Sequence, residues 1–176
     1  MSFTRRLRIF ALTAAMALTA AGCGFQPIHG ERSIASGAAL ATVDIGLIAD
    51  RTGQMLRNQL MQQMHPRGAT VPARFALAVT LNESLQDLAI RKDETATRAN
   101  LILTANFTVT SRTGGAKLFS NSVRSVNSYN ILTSDFATLS AREDARRRAV
   151  QQLASGIKQR LSVWLVQTGG RAPAPR

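Results

Sequence analysis

Along most of this chain the apolar positions recur at every second residue or at every third and fourth, and the switches between these two periods mark out its elements. Val43, Ile45 and Leu47 alternate within the run Leu40 to Ile48, which predicts a first strand. Asp50 stands where a helix cap belongs. Leu56, Leu60 and Met64, with Met55 beside them, then recur at helical spacing until His65-Pro66-Arg67-Gly68 ends the helix. Phe75, Leu77, Val79 and Leu81 alternate in a long strand reaching toward Ile90, and the apolar phase has shifted by Leu88, which a bulge near Gln86 and Asp87 would explain. Leu101, Leu103, Ala105, Phe107 and Val109 form the cleanest period-two run, and Thr113-Gly114-Gly115 supplies the positive backbone angles of a hairpin turn. A third hairpin strand from Lys117 to Tyr129 alternates poorly, as an edge strand or one covered by another molecule does. A long helix closes the pattern. Ser134 is placed to cap it, or Ser140 with Glu143 forms a capping box if it starts later, and Val150, Leu153, Ile157, Leu161 and Trp164 trace its apolar stripe, with Arg146, Arg147, Arg148, Gln151 and Gln152 on the other face.

The order β-α-β-β-β-α predicts an α+β fold in which two helices pack on one face of a four-stranded mixed β-sheet. The first strand and the one after the helix neighbour each other in parallel through a crossover, and the rest follow as antiparallel hairpins. The helices leave one sheet face over. Thr104, Asn106, Thr108 and Thr110 lie on it and can meet water or a partner.

The first residues follow a different rule. Arg5, Arg6 and Arg8 precede the uncharged stretch Ile9 to Ala20, the pattern of a signal peptide, and the stretch falls short of the roughly 20 apolar residues that span a bilayer. Ala20, Ala21 and Gly22 lead directly to Cys23, an arrangement that resembles a bacterial lipobox with Ala20 where Leu is commonest, so Cys23 is the expected site of covalent lipid. The chain thus divides into a leader, 1–22; a lipidated tether, 23–39; a single α/β domain, 40–168; and a disordered tail, 169–176.

Charge narrows the partners. The leader takes three of the 22 Lys and Arg and none of the ten acids, leaving 19 against 10, a mature charge of +9. In an exported chain such a balance points to anionic lipid head groups, phosphorylated glycolipids or an acidic protein, and away from nucleic acid. Arg91, Lys92 and Arg98 flank the turn between the second and third strands, and Arg112 with Lys117 flanks the next turn, so these side chains are candidates for gripping phosphates through charge-assisted hydrogen bonds. Cys23 is the only cysteine, which excludes an intrachain disulfide. The two histidines, His29 and His65, stand apart from any nucleophile or orienting acid, and Asp93-Glu94 and Glu143-Asp144 lack metal-ligand spacing. Gly114-Gly115 precedes no helix and is a turn rather than a phosphate loop. Enzyme, metal and cofactor readings therefore have no constellation to rest on.

Four features taken in order resemble the LptE family of lipopolysaccharide-assembly lipoproteins: Cys23-Gly24-Phe25-Gln26-Pro27 at the mature start, Leu56-Arg57-Asn58-Gln59-Leu60 in the first helix, Val126-Asn127-Ser128-Tyr129-Asn130 closing the last strand, and an Ala- and Arg-rich final helix. The resemblance implies a non-enzymatic subunit of the outer-membrane lipopolysaccharide translocon. Such a subunit plugs a large β-barrel partner, LptD, assists its assembly and contacts lipopolysaccharide. It also implies that Arg91 falls at a basic lipopolysaccharide-binding position, that a second basic position before the last helix is unmatched because Ile131 to Ala141 contains no Lys or Arg, and that Gly24 after the lipidated cysteine fits an outer-membrane destination. The competing expectation is a periplasm-facing lipoprotein that holds an anionic ligand without a barrel.

Overall fold

The computed structural model describes residues 37–65, 71–90 and 96–168. A helical turn over 37–40 tucks Leu40 into the core, and β1 (Val43–Ile45), α1 (Asp50–Met64), β2 (Phe75–Ile90), β3 (Ala96–Ser111), β4 (Lys117–Asn130) and α2 (Asp135–Gln167) follow. The sheet order is β1-β2-β3-β4, with β1 parallel to β2 and the other pairs antiparallel, the mixed α+β sheet expected from the periodicity.

Alternation decides which face is buried. Phe75, Leu77 and Val79 on β2, with Leu101, Leu103, Ala105, Phe107 and Val109 on β3, point to the helix side, where they meet Leu56 and Leu60 of α1 and Leu153, Ile157 and Leu161 of α2. The aromatic part of the core lies where β2 begins and α2 ends. There Trp164 stacks on Phe119 at 5.6 Å and takes the edge of Phe75 at 5.3 Å, geometries in which one ring's positive edge or offset face meets another's π cloud.

Three expectations need correction. The first strand is three residues long, because the run from Leu40 begins as a helical turn and the chain leaves the sheet at Gly46; Leu47 is consequently 90 % exposed, and Ile48 is buried in its place. Asp50 does not cap α1. Ala49 holds the cap position with no side-chain bond, and Asp50 is the first helical residue, in the left-handed region that Asp tolerates better than most. The bulge in β2 stands near Asp87 as expected, between the pairs Asp87–Ala99 and Ala89–Arg98, with a second irregularity between Ala89 and Ile90. The third concerns Gln152, expected on the outer face of α2, whereas β4 is the edge strand that its poor alternation suggested. The helix-facing positions of β4 are Val123, Ser125, Asn127 and Tyr129, all buried, and Ser125 and Asn127 are polar because Gln152 of α2 comes down to meet them: Ser125 Oγ donates to Gln152 Oε1 at 2.5 Å and Asn127 Nδ2 to the same oxygen at 3.2 Å. Gln152 therefore stands at the rim of α2, exposed yet reaching down to β4. The cap at Ser134 stands where expected, accepting from the Ala137 N–H.

The two rims of the sheet differ. Along β4 the outward carbonyl of Ser122 accepts from Arg160, and that of Ser128 accepts from Arg148, so side chains of α2 lie over the edge. Along β2 only Phe75 to Leu77 pair with β1, and from Val79 onward no described strand continues the ladder. The β3–β4 turn closes through Gly115, whose positive φ of 65° lets its N–H reach the Ser111 carbonyl at 2.9 Å.

Candidate functional site

The sheet face opposite the helices is built from even-numbered positions in register across three strands: Ala78, Thr108 and Ser120; Thr80, Asn106 and Ser122; Asn82, Thr104 and Arg124; Ser84, Ile102 and Val126; Gln86, Asn100 and Ser128. Nearly every member is a small hydroxyl, amide or methyl group. Neighbours satisfy one another across the strands, as in Thr108 Oγ1 with Ser120 Oγ at 3.3 Å and Ser128 Oγ donating to Asn100 Oδ1 at 2.6 Å. Arg124 is the one charge within these rows, a residue the sequence reading passed over although its even position in β4 marks it. No described element covers this face, as the Thr and Asn pattern of β3 predicts.

The candidate phosphate-binding cations do not gather in one place. Arg98 is exposed and sits opposite Asn130 at the end of the sheet where β4 hands over to α2. Arg112 and Lys117 lie at the other end, about 40 Å away at roughly 3.3 Å per residue along β3. Arg112 is already engaged, its guanidinium 2.7 Å from the Asp44 carboxylate with both side chains about half exposed, while Lys117 is exposed opposite Thr110. Arg91 and Lys92, Cys23 and the mature-start motif, and His29 lie outside the described residues. Sequence proximity to two successive turns concealed the separation, because the two turns of a three-strand meander fall at opposite ends.

The arginines of α2 are not a uniform solvated face. Arg146 reaches down to β2 and grips both Glu83 oxygens, Nε at 3.0 Å and Nη2 at 2.5 Å, while its Nη1 donates to Glu143; its side chain is only 17 % exposed. The hydrogen bond to Glu83 holds the guanidinium's pKa above its ordinary value. Arg147 and Arg148 pair with Asp144 on the exposed side. Arg142, the cation nearest the unmatched basic position, is spent on Tyr129: its Nε donates to the phenol oxygen at 3.2 Å and its guanidinium lies 5.8 Å from the ring centre.

The conspicuous short motifs have structural duties. In Leu56 to Leu60 the two leucines are fully buried, and Arg57 donates to the Ile45 carbonyl at 3.3 Å, fastening α1 to the end of β1. In Val126 to Asn130, Asn127 and Tyr129 are the buried members. Among the described residues no three His, Cys, Asp or Glu side chains converge as a metal site, and no helix is long and apolar enough to cross a membrane. His65 closes α1, with its backbone N–H donating to Met61 and no acid or nucleophile hydrogen-bonded to its ring among the described residues.

A family model, LptE, described as lipopolysaccharide-assembly, matches residues 40–161. Among solved structures, a lipoprotein from Caulobacter crescentus superimposes with a TM-score of 0.60 at 23 % identity over 76 % of this chain and 97 % of its own. Rare lipoprotein B from Shewanella oneidensis gives 0.57 at 12 % identity, covering 72 % and 98 %. A minor lipoprotein from Acinetobacter baumannii gives 0.53 at 18 % identity, covering 69 % and 91 %. At these identities the likeness is one of fold. No curated protein matches the chain.

Proposed function

Because the chain belongs to the LptE, lipopolysaccharide-assembly, family, we propose that it is an outer-membrane lipoprotein, anchored through lipid on Cys23, that sits inside the large β-barrel LptD, assists its assembly and contacts lipopolysaccharide. The observation that supports this most is the open sheet face. A barrel lumen is polar and water-filled, so whatever occupies it needs a hydrophilic outer surface that is itself ordered. The rows of Thr, Ser and Asn across β2, β3 and β4 are such a surface, rigid because the other side of the same sheet is the protein's core. Anchoring fits the same role, since one acyl chain holds a protein only marginally and several hold it stably. A multiply acylated Cys23 keeps the chain at the membrane until it meets the barrel. Arg91, Lys92 and Arg98, with Arg112 and Lys117 at the other end of the sheet, are the cations we assign to lipopolysaccharide phosphates, Arg112 being already paired with Asp44. The role asks for no catalytic residue.

The test is recovery of partners from detergent-solubilised outer membranes with the tagged, lipidated protein as bait. One large barrel at near-equal amount is expected, and Asn106→Glu with Ser122→Glu, which place charges on the open face without touching the core, should abolish its recovery. An abundant, intact wild-type bait that brings no barrel would point instead to a free lipoprotein holding an anionic ligand.

A further inference from the structure

Between the end of α2 and the start of β4 lies a groove of about 440 Å³. Its apolar side is made by Phe119 and Trp164, whose rings stack with 12° between their planes, and by Val163, which is 51 % exposed. Arg160 is the one charged residue in its lining. The guanidinium is held by a single nitrogen. Nη1 donates to Asn121 Oδ1 and to the Ser122 carbonyl, both on β4, while Nε and Nη2 have no acceptor among the described residues. No carboxylate pairs with Arg160 among them either. Nε and Nη2 form the edge with which Arg146 grips both oxygens of Glu83, two parallel N–H groups that match the two oxygens of a carboxylate. In Arg160 that edge is free and the opposite side is anchored, so little side-chain freedom is left to lose when an anion arrives. Gln159 and Gln167 line the rest of the groove with amides.

We infer that this groove takes an acidic segment of the barrel partner, with a carboxylate on the Nε–Nη2 edge of Arg160 and a neighbouring apolar side chain against Phe119 and Val163. Charge chooses the occupant. A partner that covers the groove strips water from the guanidinium, and a charge buried without a counter-charge is strongly unfavourable, so the covering surface has to bring the anion. One free fork with no second cation in the lining suits a carboxylate rather than a phosphate group, whose oxygens draw several donors. The amides of Gln159 and Gln167 can both donate to and accept from a peptide backbone, which a partner segment supplies. A second copy of so basic a chain would bring repulsion with it. The groove lies near the β3–β4 turn, where Phe119 pairs with Val109, on the helix side of the β4 rim and apart from the open sheet face. The inference rests on the barrel reading and adds to it the chemistry of one contact: an Asp or Glu beside an apolar residue.

The test uses the full lipidated protein in its own membrane, with a photoreactive benzophenone side chain in place of Gln167, an exposed residue of the groove. Illumination should join it to the barrel beside an Asp or Glu, identified by mass. Arg160→Gln should reduce that adduct at least about tenfold, the factor that accompanies loss of one charged hydrogen bond. Arg160→Lys keeps the charge without the fork and should recover only part of it. Arg160→Glu should lose the adduct, and changing the joined carboxylate to Arg should restore it. Because Arg160 also ties down Asn121 and Ser122, a second variant leaves it in place. Val163→Glu offers the fork a carboxylate from one turn along the same helix and repels an acidic partner, so the adduct should fall while the melting temperature holds. An adduct on a stretch of the barrel without an acid, on a lipid or on another protein would overturn the inference, as would an adduct unchanged in both Arg160→Gln and Val163→Glu. In either case the barrel, still recovered with the bait, would leave the proposed function standing. An intact bait that recovers no barrel would overturn that reading and this one with it.

Discussion

Gln152 offers the most direct trial of how β4 is held. Its substitution by Leu leaves the Ser125 hydroxyl, 5 % exposed, without the oxygen that accepts its proton at 2.5 Å. Asn127, 7 % exposed, loses one acceptor at 3.2 Å and a long donor contact at 3.4 Å, while its bond to Ser125 at 2.8 Å survives. A buried polar group left unpaired costs about 1–3 kcal/mol, and one full loss with one partial loss comes to about 2 kcal/mol. Little apolar burial changes, because Gln152 itself lies at the surface. For a folded unit of this size that figure lowers the melting temperature by roughly 6–8 °C. The assay is urea unfolding of the chain lacking its first 23 residues, in which the midpoint falls and the slope stays constant. The triple variant Ser125→Val, Asn127→Val and Gln152→Leu removes donors and acceptors together and should return to within about 1 kcal/mol of the original, since matched apolar replacement is close to neutral and Val suits a strand. A loss below about 0.5 kcal/mol in the single variant, or a triple variant worse than the single, would refute the claim that these polar side chains depend on Gln152.

Arg146→Ala strands Glu83 and Glu143 and should destabilise by about 1–3 kcal/mol, a loss reduced from the fully buried case by partial exposure. Because the folded-state pKa of Arg146 is raised, its contribution is complete below the ordinary arginine value and fades only as pH climbs through the raised one. The stability difference between the protein and this variant, measured from about pH 6 to about pH 9, should therefore be flat, and a collapse inside that window would contradict the assignment. Gly53→Ala places a methyl 2.7 Å from Ile48 Cγ2 and 3.0 Å from the Ile48 backbone. It should cost about 1–3 kcal/mol in denaturant titration despite the better helix propensity of Ala. Arg91→Glu and Arg98→Glu should each weaken lipopolysaccharide binding in a direct titration and leave recovery of the barrel intact.

Where one period dominated, the sequence was readable. β3 alternates clearly because both its neighbours are strands and one of its faces is wholly core, so its helix-side positions selected Leu, Ala, Phe or Val, with Ile102 on the other face the one further buried residue. β4 was obscured because the rule that core positions are apolar fails at Ser125 and Asn127, whose partner is 25 residues or more away on another element. β1 was overdrawn for the opposite reason. Leu40, Val43, Ile45 and Ile48 are all buried, by a helical turn, a strand and a loop in succession, and burial alone cannot tell these apart. The candidate cations were found by type but not by place, since a charge's usefulness depends on what stands opposite it: Asp44 for Arg112, Glu83 for Arg146, Tyr129 for Arg142.

The unequal rims of the sheet set how this protein can go wrong. Under the proposed function copies of this chain are tethered to one membrane and meet often, and a sheet with two open edges could add neighbours on both sides without limit, the route to a fibre. Arg160 and Arg148 lie across the β4 rim at Ser122 and Ser128, so a neighbour must first displace two guanidinium groups to pair there. Among the described residues the β2 rim from Val79 onward is the one left without such a cover. Two copies joined rim to rim would then present β4 on both outer sides, and growth would stop at a pair. Association through the sheet edges is thereby expected to end at a pair rather than grow into a fibre.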